Sequence, residues 1–234
     1  MPNWVRTKIQ FDGENAEKNF RKAVELFIKK EKEERIFDFN RLVEMPKELA
    51  ETVSPTNYFN SLEAVDYLTA LVAKENGKAT EEDEKRIRHY RLKDGEKEHL
   101  DEYMALWRKY GAADWYFWAW NNWGTKWNAC DCEIDEDQQA IFFSTAWEHP
   151  FPIIQRIADH PAFRGEKLEL LVVYCDEAQC TNFGKYSVYG AKTVFLIRNG
   201  MKMIISRKGK AFYPAKEEDF NYCYSKAWNE QVND

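Results

Sequence analysis

Five cysteines, Cys130, Cys132, Cys175, Cys180 and Cys223, are the first candidates for chemistry, because thiolates are the soft ligands that zinc and iron–sulfur clusters take. Their spacing fits neither. From Cys130 to Asp135 the thiols alternate with acids, which places them on the apolar side of a half-buried strand as small hydrophobes. An odd cysteine count makes no secreted disulfide framework, so reduced thiols and no metal or other cofactor are expected. The acids of the same stretch, Asp131, Glu133, Asp135, Glu136 and Asp137, are hard oxygen donors of the kind Ca2+ takes, but no EF-hand spacing with its central glycine accompanies them. They read as a solvated strand edge ending in a polar turn. A stripe of one charge sign is also what a protein presents to a basic partner, and these five are the expected partner-binding residues.

The histidines give no reaction. His89 and His99 fall in a charged helical block, His149 and His160 flank Pro150 and Pro161, and solvent-facing or capping positions are expected for them. G-x-S-x-G, H-E-x-x-H and G-x-x-x-x-G-K-[ST] patterns are absent, so no catalytic residue is assigned. The remaining concentration of chemistry is the run from Asp114 to Trp127, which carries Trp115, Trp118, Trp120, Trp123 and Trp127. Trp118, Trp123, Lys126 and Trp127 could hold a nucleotide by stacking, each stack contributing about 1–3 kcal/mol. The favoured reading of the same rings is a core wedge between helices and a sheet, with Lys126 lying along a Trp face.

The elements that must position these residues follow from periodicity. Trp4 to Phe11 alternates as a first strand, and Phe20, Val24, Phe27 and Ile28 mark a helix from Ala16 to about Glu33. Start signals at Asn60-Ser61-Leu62-Glu63 and Thr80-Glu81-Glu82-Asp83 open two helices, the second closing at Asp94-Gly95; a third carries Leu100, Tyr103, Met104 and Trp107. After the tryptophans the period becomes two. Cys130–Asp135 and Gln139–Trp147 form an antiparallel hairpin through Glu136-Asp137, then a helix begins at Pro150 and a strand runs from Lys167 to Tyr174, expected to pair in parallel with a strand flanking that helix. Asn199-Gly200 marks a further hairpin, and Phe220, Tyr224 and Trp228 a terminal helix.

This order gives an α+β fold: a ferredoxin-like βαββαβ sheet with a helical insertion, extra C-terminal strands and a terminal helix. The expected segments are 1–46 (first strand and helix), 47–111 (helical insertion) and 112–234 (the tryptophan segment and the rest of the sheet). With 234 residues the chain is long enough to bury about 70% of its unfolded surface without disulfides. A net charge of -6 argues against a basic groove for nucleic acid. No apolar run long enough to span a membrane and no signal-peptide core at the start are seen, so a cytoplasmic protein is expected.

Met1-Pro2-Asn3-Trp4, Trp115-Tyr116-x-Trp118, the block Asn122-Trp-Gly-Thr-Lys-Trp-Asn-Ala129, and Ser144-Thr-Ala-Trp147-x-x-Pro150 together resemble the YubB-like family of phage- and plasmid-borne proteins with a ferredoxin-like domain. The resemblance runs to about Ala158, and the Trp-Gly-Thr-Lys-Trp core is its specific part; Phe117 departs from the polar residue expected there. The family has no established biochemical activity. The resemblance therefore implies a fold and a mobile-element origin rather than a reaction, with a bacterial host's cytoplasm as the setting. Together with the acidity and missing catalytic motifs, it leads to the expectation of a non-enzymatic accessory protein that binds a basic host or defence protein.

Overall fold

The computed structural model describes residues 2–52, 59, 61–177, 182–190, 192–199, 201–206 and 209–228. Its elements run β1 (Trp4–Asp12), α1 (Ala16–Phe27), β2 (Ile28–Glu31), β3 (Glu34–Phe37), α2 (Lys47–Ala50), α3 (Leu62–Glu75), α4 (Glu81–His89), α5 (Asp94–Tyr110) and α6 (Trp115–Trp123). Then follow β4 (Cys130–Asp135), β5 (Ala140–Ala146), α7 (Phe151–Asp159), β6 (Glu169–Asp176), β7 (Phe183–Tyr189), β8 (Lys192–Arg198), β9 (Met201–Ser206), β10 (Gly209–Pro214) and α8 (Glu217–Trp228). Two compact units result, Met1–Glu44 with Asn122–Asp234, and Met45–Asn121.

The first unit is built on an eight-stranded sheet of order β10-β9-β8-β7-β6-β1-β5-β4, in which every paired neighbour is antiparallel. The hairpin of β4 and β5 forms where alternation places it. The expected parallel pairing of the strand after α7 does not: β6 pairs antiparallel with β1 and β7. The reason is that α7 carries the chain past β1, so β5 and β6 run in the same direction with β1 between them.

Period-two alternation gives β1 two distinct faces. Val5, Ile9 and Phe11 look toward α1, where Phe11 meets Phe20 at 5.9 Å, and Phe143 of β5 meets Phe37 at 4.9 Å. Each fully buried Phe here contributes roughly 1.5–3 kcal/mol. On the other face, α8 seats Cys223 and Ala227 against Val173, Cys175, Phe183 and Ile197. One local element was not expected. Instead of a helix to Glu33, α1 ends at Phe27 and the chain turns through Lys32, at φ 55, into the β2–β3 hairpin. That hairpin delivers Phe37 to the core and sets β3 alongside β4.

The second unit is helical. Its core joins Phe59, Leu68, Tyr103 and Met104, packed by Leu100 and Trp107. Ser61 caps α3 by accepting from the Ala64 N–H at 3.1 Å, and Thr80 with Asp83 forms a capping box on α4. Asn60 lies outside the described residues. Asp94-Gly95 opens α5 rather than closing α4, because the Glu96 carboxylate accepts from the Lys93 N–H at 2.7 Å and fixes a new helix start. The Asn199-Gly200 turn is described only at Asn199, whose φ of 45 suits a type I′ position, between paired β8 and β9.

Candidate functional site

The acidic stretch becomes the terminal strand of the large sheet, β4, which among the described residues is hydrogen-bonded to β5 and lies against β3 without pairing to it. Its register is interrupted between Cys130 and Glu133, where Asp131 adopts φ 49. A bulge of this kind leaves one residue unpaired and bends the strand. It also breaks the predicted alternation: Cys130 lies opposite Ser144, whereas Ile134 lies opposite Ile141, and these two partners belong to different faces of β5.

Two cations from β1 lie under this edge. Arg6, 6% exposed, donates from Nη2 to Glu133 Oε1 at 2.6 Å and from Nη1 to the Asp131 carbonyl, and its guanidinium sits 5.8 Å from the Phe142 ring. Lys8 donates to Gln138 Oε1 at 2.6 Å over the same ring. Burial pushes the Lys8 ammonium down, Lys226 adds to the effect, and Asp135 opposes it. Asp135 holds the turn: its carboxylate accepts from the Gln138 backbone N–H at 2.8 Å and from Gln138 Nε2 at 2.6 Å. The five predicted partner-binding acids therefore divide. Glu133 and Asp135 have intramolecular work, whereas Asp131, Glu136 and Asp137 enter no ion pair among the described residues.

A groove of about 970 Å3 runs along this edge between β3 and β4, and it brings all five acids together with Glu33 and Glu34. Seven carboxylates and one guanidinium, Arg35, line it. By contrast a recess of about 390 Å3 in the helical unit is lined by Glu63, Asp66, Arg86, His89 and Tyr90, where charges of both signs compensate. Of the two, the β4 groove is the one whose lining charges are nearly all of one sign. Glu33 and Glu34 were missed in the sequence because β2 was read as the end of the helix and no strand was assigned after Glu33, and nothing in Glu33-Glu34 by itself points across to β4.

Cys130 and Cys132 line this groove, and the Cys130 thiol donates to Asp131 Oδ2 at 3.5 Å. Burial pushes the Cys130 thiol up to about 12, Cys132 to about 11 and Cys223 to about 12, so all three are protonated at neutral pH and are poor nucleophiles and ligands. Among the described residues no three His, Cys, Asp or Glu side chains gather to hold a metal. Cys180 lies outside them.

The tryptophan segment is divided as well. Trp118 and Trp123 are buried, and Trp123 Nε1 donates to the Val43 carbonyl at 2.9 Å. Trp127 is 39% exposed, with Lys126 Nζ 4.4 Å from its ring and Trp4 at 6.3 Å. The residues between them act as a clamp. Gly124 has φ 76, and a Cβ there would come within 2.6 Å of Pro152. Thr125 donates to the Ala146 carbonyl at 2.8 Å, and Asn128 receives the Phe39 N–H while donating to Asp38.

His149 corrects the expectation of a solvent-facing ring. It is buried, with Nδ1 2.9 Å from Thr7 Oγ1, Nε2 2.7 Å from the Tyr186 hydroxyl, and the Tyr174 ring stacked at 4.2 Å. A hydroxyl beside an imidazole is the arrangement that activates nucleophiles. Here Thr7 and Tyr186 are fully buried, which leaves a substrate no approach, and burial pushes the imidazole down to about 3. His160 does cap, accepting the Ala162 N–H at 3.2 Å. Comparison with protein-family models, curated proteins and solved structures returns no match to this chain.

Proposed function

We propose that this protein works by binding another macromolecule, and that the groove between β3 and β4 captures a basic protein. The observation that carries the reading is the seven-to-one excess of carboxylates over cations in one groove at the end of the sheet. Like charges held together raise the local potential, which speeds the encounter with a cationic partner and rejects an acidic one. The order β6-β1-β5-β4, with α1 and α7 as the crossovers, supports a ferredoxin-like unit as the frame that holds this edge. The motifs shared with YubB-like proteins make a mobile-element accessory protein, acting in a bacterial cytoplasm on a host or defence protein, the setting for that capture.

The test is affinity capture from a bacterial host lysate with the wild-type chain and with a variant carrying Glu34→Gln, Asp131→Asn, Glu136→Gln and Asp137→Asn. These four carry no internal ion pair among the described residues, so the variant should melt close to the wild type while losing the captured protein. Capture by both alike counts against the groove.

A second reading, nucleotide stacking, is favoured by one observation, the exposed Trp127 ring with Lys126 beside it. Titration with nucleotides should then quench tryptophan fluorescence in the wild type and not in Trp127→Leu. Absence of quenching removes this reading.

A further inference from the structure

The antiparallel register gathers a second polar cluster in the first unit, built from residues other than those of the β3–β4 groove. Trp4 pairs with Ala146 and Val5 with Asp176, so the start of β1 meets the ends of β5 and β6. Asn3 lies two residues before Val5, which puts it on the face of Asp176, and its Nδ2 donates to Asp176 Oδ2 at 3.1 Å. Asn182, just before β7, joins Asp176 to a second carboxylate. Its backbone carbonyl accepts the Asp176 N–H at 3.0 Å, and its Nδ2 donates to Glu148 Oε2 at 3.1 Å and to the Trp147 carbonyl at 3.0 Å. Asp176 is 1% exposed and Asn182 9%, whereas Glu148 is exposed and gives the cluster a way to solvent. Glu177, the next acid, is turned to the Trp4 backbone N–H.

Within this cluster there are buried oxygens that no donor serves. The Oδ1 atoms of Asn3 and Asn182 are buried and accept no hydrogen bond among the described residues. A buried carbonyl left in that state has lost its hydration without compensation. Carboxamide geometry places each oxygen about 2.3 Å from its own nitrogen, hence within about 5.4 Å of the carboxylate that nitrogen serves. Turning either carboxamide over would set its oxygen against a carboxylate oxygen, so the orphaned atoms are not relieved that way. We infer that Asn3, Glu148, Asp176 and Asn182 form a site for a hard divalent cation of the Ca2+ class. Such an ion takes about six to eight oxygens from carboxylates, carboxamides, backbone carbonyls and water, and solvent at the exposed Glu148 completes the set. Two carboxylates match its charge, and the absence of a thiolate or imidazole from the four donors disfavours softer metals. Half of the donors are uncharged carboxamides, so the site stands apart from groups of three or more His, Cys, Asp or Glu ligands. Burial pushes the Glu148 carboxyl up, the Asn182 hydrogen bond opposes this and the Asp176 charge adds to it, a balance that a bound cation reverses.

The experiment titrates the full chain with Tb3+, an oxygen-seeking stand-in for Ca2+, and reads terbium emission sensitised by the neighbouring Trp4 and Trp147, followed by displacement with Ca2+. Three variants accompany the wild type: Glu148→Gln, Asp176→Asn, and the four-site variant of the β3–β4 groove, which controls for ions held by the acids there. The site predicts sensitised emission that Ca2+ displaces, alike in the wild type and the four-site variant, with affinity about tenfold or more weaker in Glu148→Gln and Asp176→Asn. Should Asp176→Asn fail to fold, Glu148→Gln, altered at an exposed residue, carries the test. Ca2+ should also raise the melting temperature of the wild type and leave that of Glu148→Gln nearly unchanged. No sensitised emission, emission that Ca2+ does not displace, or equal affinity in the wild type and Glu148→Gln overturns the inference. Emission lost in the four-site variant but kept in Glu148→Gln assigns the ion to the groove acids and overturns it as well.

Discussion

Glu133 shows how a residue on an acidic surface is spent before any partner arrives. Its carboxylate is the ion-pair partner of Arg6, whose guanidinium is otherwise buried among Ser144, the Asp131 carbonyl and Phe142. Neutralising it leaves a desolvated cation without its charge, so Glu133→Gln should lower unfolding free energy by about 1–3 kcal/mol in urea titration. Asp137→Asn should leave it unchanged, and equal effects would contradict this division. The acid stripe was legible in the sequence, but this division was not, since nothing near Glu133 in the chain announces that Arg6, on another strand, lies beneath it.

His149 makes the same point about titration. The folded chain holds the imidazole down to about 3 by burial, while the unfolded chain protonates it near its usual value of about 6.5. Between those values the unfolded state binds the extra proton. The stability contributed by the neutral ring is therefore complete above about pH 6.5 and is lost as pH falls toward 3, by up to about 1.4 kcal/mol per pH unit. Glu148 and Asp114, both pushed up by burial, bind protons in the folded state and oppose the loss at the acid end. Urea titrations from pH 6.5 to 5 should show a stability decline in the wild type that is flatter in His149→Gln. Matching slopes would show that the ring is not the group responsible.

At the scale of elements, the glycines decide how closely pieces approach. Gly124 ends α6 in a left-handed conformation against Pro152, so an alanine there meets both backbone strain and a clash. Gly184 has ordinary φ, but its Cβ would lie 2.6 Å from the Tyr174 ring, which is stacked on His149. Gly184→Ala should cost about 1–3 kcal/mol and disturb the near-ultraviolet circular dichroism of that aromatic stack; an unchanged spectrum and melting temperature would show that the stack yields without cost. The Trp-Gly-Thr-Lys-Trp segment, distinctive as sequence, is explained by this clamp: Gly124 approaches α7 at Pro152, Thr125 bonds to the end of β5, and the following Asn128 bonds to Asp38 and Phe39. Strands and helices with clear periods were readable. The β2–β3 hairpin was not, because its turn, Lys32-Glu33, carries neither glycine nor asparagine and Ile28 continues the helical spacing of α1.

For the whole molecule, the net charge of -6 excludes little by itself, and its meaning lies in placement. In the helical unit several acids are paired with cations, as where Glu48 meets Lys109 and Glu75 meets Arg108. At the β3–β4 groove they are not, and that imbalance is the central claim. Its most direct measurement is the equilibrium affinity of a blocked, dye-labelled octapeptide of alternating Lys and Val for the wild-type chain and for the four-site variant Glu34→Gln, Asp131→Asn, Glu136→Gln, Asp137→Asn, each at low and moderate salt. The account predicts binding to the wild type that weakens with salt and is about tenfold or more weaker in the variant, with both proteins melting alike. Affinity that is the same in both proteins, or insensitive to salt, would contradict it.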